Sequence, residues 1–423
     1  MTPEVKKRIE DINNGVVPEG YKKTKVGIIP SKWENYKLRD ISEEITEKAG
    51  SKAYETVSIS AGIGFVNQAD KFGKELSGKQ YEKYIVLHKG DFSYNKGNSK
   101  KYPQGCIYQL KDRESAAVPN VFESFRFTKG SNDYYEQLFV SGFLNEQLFA
   151  KINHGVRDDG LLNLKGDDFY SCYVPFPTPY EQQKIASILT TQDKLITLQE
   201  QKVESLMKLK KTYLEKMFPK KGSKYPEYRF KGFTDAWEQR KLGDVAKFRQ
   251  GIQVDLENQY TENADGRIRF IRIVDYTQGT DDIRYIDEVE SANHVDSDDV
   301  VVVRYGATAG FVGHGITGII ANNMFTINPS DSVNKGFLYT FMKQEKMYES
   351  LNSSNGSSAM PAINFGIMTN IEISYPTIEE QIQIGDYFIK LDNLITLHQR
   401  KLEAEKKKKK ALMQLLLTGK VRV

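Results

Sequence analysis

The chain writes one frame twice, about 200 residues apart. Trp33-Glu34-Asn35-Tyr36-Lys37-Leu38-Arg39-Asp40-Ile41 returns as Trp237-Glu238-Gln239-Arg240-Lys241-Leu242-Gly243-Asp244-Val245. Pro177-Thr178-Pro179-Tyr180-Glu181-Gln182 returns as Pro376-Thr377-Ile378-Glu379-Glu380-Gln381. Asp193-Lys194-Leu195-Ile196-Thr197-Leu198 returns as Asp392-Asn393-Leu394-Ile395-Thr396-Leu397. The stretches between the Trp and Pro markers do not visibly repeat. A period this long excludes a solenoid and points to a duplicated domain with two divergent inserts.

Each insert mixes strand and helix signals, which suggests an α+β globule. In the first, Tyr84–Leu87 reads as a strand, Lys89-Gly90-Asp91 as a turn, and Phe92-Ser93-Tyr94 as a second strand. Helical spacing of Leu138, Phe139, Phe143, Leu144, Leu148 and Phe149 predicts one helix over Asp133–Ile152. In the second, Ile268–Val274 and Val300–Val303 read as strands, and Phe337–Leu351 as a helix. Residues 1–16 read as a short polar helix, with Pro3 in its first turn and Gly15 after its end.

A long helix follows each globule. Thr178 with Glu181, and Thr377 with Glu380, have the spacing of a capping box, in which the Glu reaches back to the N–H of the cap residue. The helices are expected to stop near Phe218, before Pro219, and near Thr418, before Gly419. Each spans about 40 residues, on the order of 60 Å. Ile185, Leu189, Ile196, Val203, Leu206, Tyr213 and Met217 form an apolar stripe on the first. Ile384, Phe388, Leu391, Ile395, Leu402, Leu412 and Leu416 form one on the second. Spacings of 3, 4 and 7 make these the two sides of a coiled-coil seam. Gln199 and His398, and Lys210 and Lys409, are polar seam positions suited to fixing register. The polar connector Lys220–Pro226 suits an antiparallel pair with a globule at each end, a pseudo-two-fold dumbbell. The expected divisions are 1–32, an N-terminal extension; 33–178, a first globule; 179–218, a first arm; 219–232, a linker; 233–377, a second globule; and 378–418, a second arm.

Catalytic signatures are absent. Asn328-Pro329-Ser330-Asp331 lacks the second proline and the aromatic of an amino-methyltransferase loop. Gly73–Gln80 approaches a phosphate-binding loop but has Gln80 where a hydroxyl must bind magnesium. Gly62-Ile63-Gly64 lacks the third glycine of a dinucleotide fingerprint. Asp158-Asp159 and Asp167-Asp168 have no nuclease-type Glu-x-Lys after them. Cys106 and Cys172 lack CxxC spacing, and the five histidines form no HxxxH or HExxH pair, so neither a disulfide framework nor zinc is expected. The N-terminus has no apolar signal core, and no apolar run approaches the ~18 residues of a membrane span, so a cytoplasmic location is expected. The net charge of +4 is small, so any nucleic-acid surface must be local or shared with a partner.

A Trp-Glu-x-x-Lys-Leu-x-Asp entry, a variable insert, and Pro-x-x-x-Glu-Gln opening a long helix, all repeated once, resemble the specificity subunit of type I restriction-modification systems, which act in phage defence. The resemblance covers essentially residues 20–420. It implies two target recognition domains, 33–178 and 233–377, each reading one half of a split, asymmetric DNA site. It also implies antiparallel arms that act as a spacer, and no catalysis in this chain. The implied partners are double-stranded DNA, two methyltransferase subunits, and up to two restriction/translocase subunits. S-adenosylmethionine, ATP and magnesium would then sit on those partners, with no cofactor or metal in this chain. The longer lead of the first repeat, residues 1–20, is a candidate extension toward the methyltransferase. A coiled-coil scaffold or inhibitory assembly protein without DNA readout is the alternative reading.

Candidate DNA contacts follow from side-chain chemistry. Tyr94, Asn95, Lys96, Asn98, Ser99, Lys100 and Lys101 crowd donors and acceptors directly after a strand. The counterpart in the second insert carries Arg304, Tyr305 and Thr308. Lys96 and Arg304 each end a strand that starts after a turn, at Asp91 and Asp299. The loops His154–Arg157 and Asn352–Ser358 are further candidates, the first through Arg157. Arg267, Arg269 and Arg272 alternate roughly along a strand and are candidates to line a DNA face. The alternative for each is a solvated surface. The Lys406–Lys410 run reads as a solvated helical face.

Overall fold

The computed structural model describes residues 1–73, 78–97, 100–152, 162–279, 281–289, 294–353 and 362–423. It divides into two compact units: Met1–Gln199 with Lys401–Val423, and Glu200–Arg400.

The first unit is built on a four-stranded antiparallel sheet in the order Ser42–Glu44, Glu123–Phe127, Phe92–Asn95, Cys106–Gln109. Phe92, Phe125, Tyr94 and Phe169 are fully buried around it. The expected turn before Phe92 is present: the Asp91 carboxylate accepts the His88 N–H at 2.8 Å. Two smaller pairs, Val57–Ser60 with Gly64–Asn67 and Ile85–His88 with Ser115–Val118, are interleaved with its strands in sequence.

The second unit has the same central order: Ala246–Gln250, Met324–Pro329, Val300–Val303, Val312–Gly313. Its turn is also the same, with Asp299 accepting the Asp296 N–H at 2.8 Å. The units part beyond that sheet. The second adds a four-stranded sheet, Arg284–Asp287, Arg267–Ile271, Gly318–Ile320, His294–Val295, containing a parallel pair. Phe270, Ile271, Ile319 and Ile320 form its separate core.

The repeated motifs have matching structural work. Trp33 and Trp237 are buried, as are Leu38 and Leu242. The Asp of each motif caps its own turn: Asp40 accepts the Lys37 N–H at 3.1 Å and Asp244 the Lys241 N–H at 3.4 Å. Leu38 N–H donates to Cys172 O, and Leu242 N–H to Ile371 O, so each motif closes on the strand that leads into its arm. The Gln of the arm motif is equally direct. Gln182, 1% exposed, accepts the Ser131 N–H at 2.7 Å and donates to Pro177 O at 2.9 Å. Gln381, 0% exposed, accepts the Asn334 N–H at 2.8 Å and donates to Ser332 O and Pro376 O at 2.9 Å. Each Gln thereby ties the start of an arm to the cap of a globule helix.

The capping-box expectation is half right for the first arm. Thr178 Oγ1 does accept the Glu181 N–H at 3.4 Å. Glu181 turns away from the backbone, however, and accepts from Trp33 Nε1 and Thr178 Oγ1 at 2.9 Å each, and from Arg422. Burial acts to raise its carboxyl, but the bonds from Arg422, Thr178 and Trp33 outweigh that and hold it below the usual carboxylate range. Glu380 is claimed instead by Arg229, through a bidentate pair at 2.8 and 2.7 Å, and Trp237 Nε1 is buried without a partner among the described residues.

The arms are helices Pro179–Lys216 and Ile378–Leu416, close to the expected limits. Within the first unit, Ile185 and Leu189 share a core with Leu416 and Leu417, while Asp193 pairs with Lys409 at 2.5 Å. Within the second unit, Met217 shares a core with Ile384 and Phe388, Leu206 with Leu391 and Ile395, and Lys210 pairs with Asp392 at 2.5 Å. In both units the chain positions run in opposite directions, so the pairing is antiparallel. Val203 is buried in the seam; Ile196 and Leu402 are half-buried. The two polar seam lysines are thus cross-arm ion pairs, each with the Asp of the other repeat.

Three elements differ from the sequence reading. The helix over Asp133–Ile152 is two, Asn132–Val140 and Asn145–Phe149, broken where Gly142 takes φ +77°, which a side chain resists. The helix over Phe337–Leu351 is likewise split, into Lys335–Met342 and Glu345–Ser353. The strand Ile268–Val274 ends at Ile271, because Asp275 accepts the Arg272 N–H at 2.7 Å and starts a helical turn, Ile273–Thr277.

The N-terminal helix is Pro3–Asn13, capped by Thr2. It belongs to the first unit and is tied to the chain's last residues. Arg8 Nε donates to Lys420 O at 3.1 Å, and Tyr21 Oη to Gly419 O at 2.9 Å. Gly419 has φ +70°, and a Cβ there would lie 2.4 Å from Pro30 Cδ, so no side chain fits.

Candidate nucleic-acid interface

Each central sheet ends at a cation, and the two corners are built alike in the backbone. Lys96 follows the strand Phe92–Asn95, and its carbonyl accepts the Leu162 N–H at 2.9 Å. Arg304 follows the strand Val300–Val303, and its carbonyl accepts the Ile363 N–H at 2.9 Å.

Their side chains meet different surroundings. Lys96 Nζ pairs with Glu123 at 2.8 Å, both side chains being about 15% exposed. Tyr94 lies in the core, its ring stacked on Phe169 at 5.0 Å and its hydroxyl donating to Gln104 O at 2.7 Å. It therefore shapes the loop from beneath. Asn95 is half-buried; its Oδ1 accepts the Gly97 N–H at 2.8 Å and its Nδ2 donates to Ile59 O at 3.3 Å. Lys100 and Lys101 are exposed, the latter with its Nζ 5.8 Å from the Tyr102 ring. Asn98, Ser99 and Arg157 lie outside the described residues, as does all of His154–Arg157 and the 354–358 part of the other candidate loop.

In the second unit the register puts Phe325 at the position that Glu123 holds in the first. Arg304 accordingly has no carboxylate partner among the described residues. Its Nη1 donates to Gln250 Oε1 at 2.7 Å, and its guanidinium lies over the Tyr305 and Phe365 rings at 4.8 and 5.6 Å. Tyr305 is 39% exposed and Thr308 half-buried in the turn that follows. The other arginines are internally engaged. Arg267 lies over the Tyr260 ring at 3.5 Å and near Asp287; Arg269 reaches Asp275 at 3.5 Å; Arg272 pairs with Asp275 and Asp282. Glu123 and Gln250 carried no sequence signal, because only strand register brings them beside the two cations.

The near-miss catalytic strings have ordinary roles where described. Gly62 and Gly64 have positive φ at the turn of a hairpin, and Asn328-Pro329 closes a strand. Asp167 opens the helical turn Gly166–Tyr170 and pairs with Arg39 at 3.5 Å. Among the described residues no three His, Cys, Asp or Glu side chains group as a metal site, and no helix is long and apolar enough to cross a membrane. Cys106 and Cys172 are unpaired.

Residues 30–208 and 234–406 both match the model of the type I restriction modification DNA specificity domain. The chain belongs to that family. It is a specificity subunit with two target recognition domains. It is 25% identical, over 96% of its length and 97% of the other's, to a Methanocaldococcus jannaschii protein proposed to be the type I restriction enzyme MjaX specificity subunit. It is 26% identical, over 68% of its length and 70% of the other's, to the MjaVIII specificity subunit of the same organism. The fold is similar to that of the type I restriction-modification S subunit from M. genitalium, with a TM-score of 0.60 at 15% identity over 91% of this chain and 96% of that one. A chain of a type I restriction-modification complex gives a TM-score of 0.50 at 16% identity over 93% and 99%. The mixed helix and strand content expected from sequence is consistent with this two-domain fold with long helices.

Proposed function

We propose that this specificity subunit is a non-catalytic reader. Each target recognition domain binds one half of a bipartite, asymmetric DNA site, and the helical arms set the spacer and dock two methyltransferase subunits. Up to two restriction/translocase subunits complete the assembly, and S-adenosylmethionine, ATP and magnesium act on those partners. The observation that carries this reading is the pairing of one sheet order and one Gln-based joint, both duplicated, with strand-end corners whose side chains differ. Identical joints suit identical partners; unlike corners suit unlike half-sites. The arms support the docking role. Leu195 and Leu198 on the first arm are 46% and 62% exposed, and the equivalent Leu394 and Leu397 on the second are 38% and 61% exposed.

Two half-sites joined by a stiff spacer gain effective concentration only when the spacing fits. One inserted base pair shifts a half-site by ~3.4 Å and about a tenth of a turn. In gel-shift titrations of the assembled complex, such an insertion is expected to weaken binding by roughly 100-fold. Equal binding across spacer lengths would overturn the rigid-spacer reading.

A further inference from the structure

Arg304 differs from Arg269, Arg272 and Arg284 of the same domain in what holds it. Arg269, Arg272 and Arg284 are each committed to a carboxylate. Arg304 is positioned by neutral groups. Gln250 Oε1 accepts from Nη1 at 2.7 Å, and Gln250 Nε2 donates to Asn322 O at 2.9 Å, which fixes the amide that does the accepting. The Asn322 side chain donates in turn to Gln253. The guanidinium also lies over the rings of Tyr305 and Phe365. Its Nε is buried without a partner among the described residues, so the outward donors are on the Nη edge. A positive charge held by neutral groups, without a counter-ion among the described residues, is arranged to meet an acceptor pair from outside the protein.

Resting on the proposal that this domain reads one DNA half-site, we infer that Arg304 reads a guanine in that half-site and that Gln250 is the positioning residue that aims it. The O6 and N7 acceptors of guanine in the major groove match two donors on one guanidinium edge. A phosphate also accepts from this fork, but a lysine serves a phosphate as a point charge whereas it lacks the two coplanar donors that match O6 and N7, so Arg304→Lys separates the two. The corresponding corner of the first domain has that lysine, already neutralised by Glu123, so the assignment is confined to the second domain.

The test is methylome sequencing of cells carrying the full chain with its partner subunits, comparing wild type with Arg304→Ala, Arg304→Lys and Gln250→Ala. The expected result is relaxation of one G·C position in one half of the motif by both Arg304 variants. Gln250→Ala relaxes the same position less. The other half-site stays unchanged. Should a variant abolish methylation, the purified complex is titrated against probes that differ at single base pairs of that half-site. Discrimination at one G·C pair should fall on the order of 10- to 100-fold. The inference is overturned if the motif and the probe preferences are unchanged, or if the relaxed position is not G·C. It is also overturned if Arg304→Lys behaves as wild type, or if all probes weaken equally with a shallower salt dependence, since both mark a phosphate contact. A wild-type methylome without any bipartite motif would defeat the half-site reading itself, a separate outcome.

Discussion

The two recognition domains share a sheet order and a joint but settle their charges differently. In the first, Glu181 is shared among Trp33, Thr178 and Arg422, and the strand-end Lys96 is neutralised by Glu123. In the second, among the described residues, Glu380 is held by Arg229 alone, Trp237 keeps an unpaired indole N–H, and the strand-end Arg304 has only neutral support. What stays constant is what bonds the backbone: the Asp caps, the Gln ties, the closing bonds at Leu38 and Leu242. What varies is how side chains find counter-charges. A duplicated frame therefore constrains geometry tightly and electrostatics loosely.

The largest expected difference is at the two glutamates. Arg229→Ala strands a carboxylate whose side chain is 1% exposed, and should cost the second unit about 3–5 kcal/mol. Arg422→Ala leaves Glu181 two remaining donors and should cost the first unit about 1–2 kcal/mol. Each unit contains one of the chain's two tryptophans, so urea unfolding followed by fluorescence in Trp33→Phe and Trp237→Phe backgrounds reads them separately. Equal losses would break the comparison.

A smaller effect comes from removing the acid at the first corner. Glu123→Gln leaves Lys96 partly buried without its counter-charge and should destabilise the first unit by about 1 kcal/mol in the same assay. No change would mean that the pair contributes nothing and the two corners are closer than they look.

The finest distinction is one of pH. The Glu181 carboxyl is held below its ordinary value in the folded chain, so its contribution is fully present above the unfolded value of 4.5 and fades as pH falls through the lower folded value. Acidification below about 4.5 should lower the urea midpoint reported by Trp33, and Arg422→Ala should reduce that fall. A fall unaffected by Arg422→Ala would assign the effect to other carboxylates.

The frame was legible because each marked residue has a job that only its own chemistry performs. The Trp and Leu fill the core, the Asp caps a turn, and the Gln bridges two backbone groups. The seam was legible from its period, and its polar interruptions at Lys210 and Lys409 are resolved by Asp392 and Asp193. The common sheet was not legible as a whole, since its first strand pairs with one about 80 positions away in each unit and that pairing leaves no local trace. Gly142 sits inside a helical period, and the period hides the break it causes. Tyr94 drew attention as a polar aromatic in a basic loop, yet alternation along its strand turns it inward. Gln250, the support of Arg304, lies 54 positions from it along the chain.

The Gln182 and Gln381 bonds run to backbone atoms of the globules: Ser131 N–H in one, Asn334 N–H and Ser332 O in the other. A joint that addresses only the main chain is indifferent to the residues it fastens. Any domain that presents the same helix cap at the same place can be mounted on it. New specificities can then arise by recombination between unrelated inserts with this joint kept, the matching being left to the side chains that also meet the arm, such as Gln137 on Asp193.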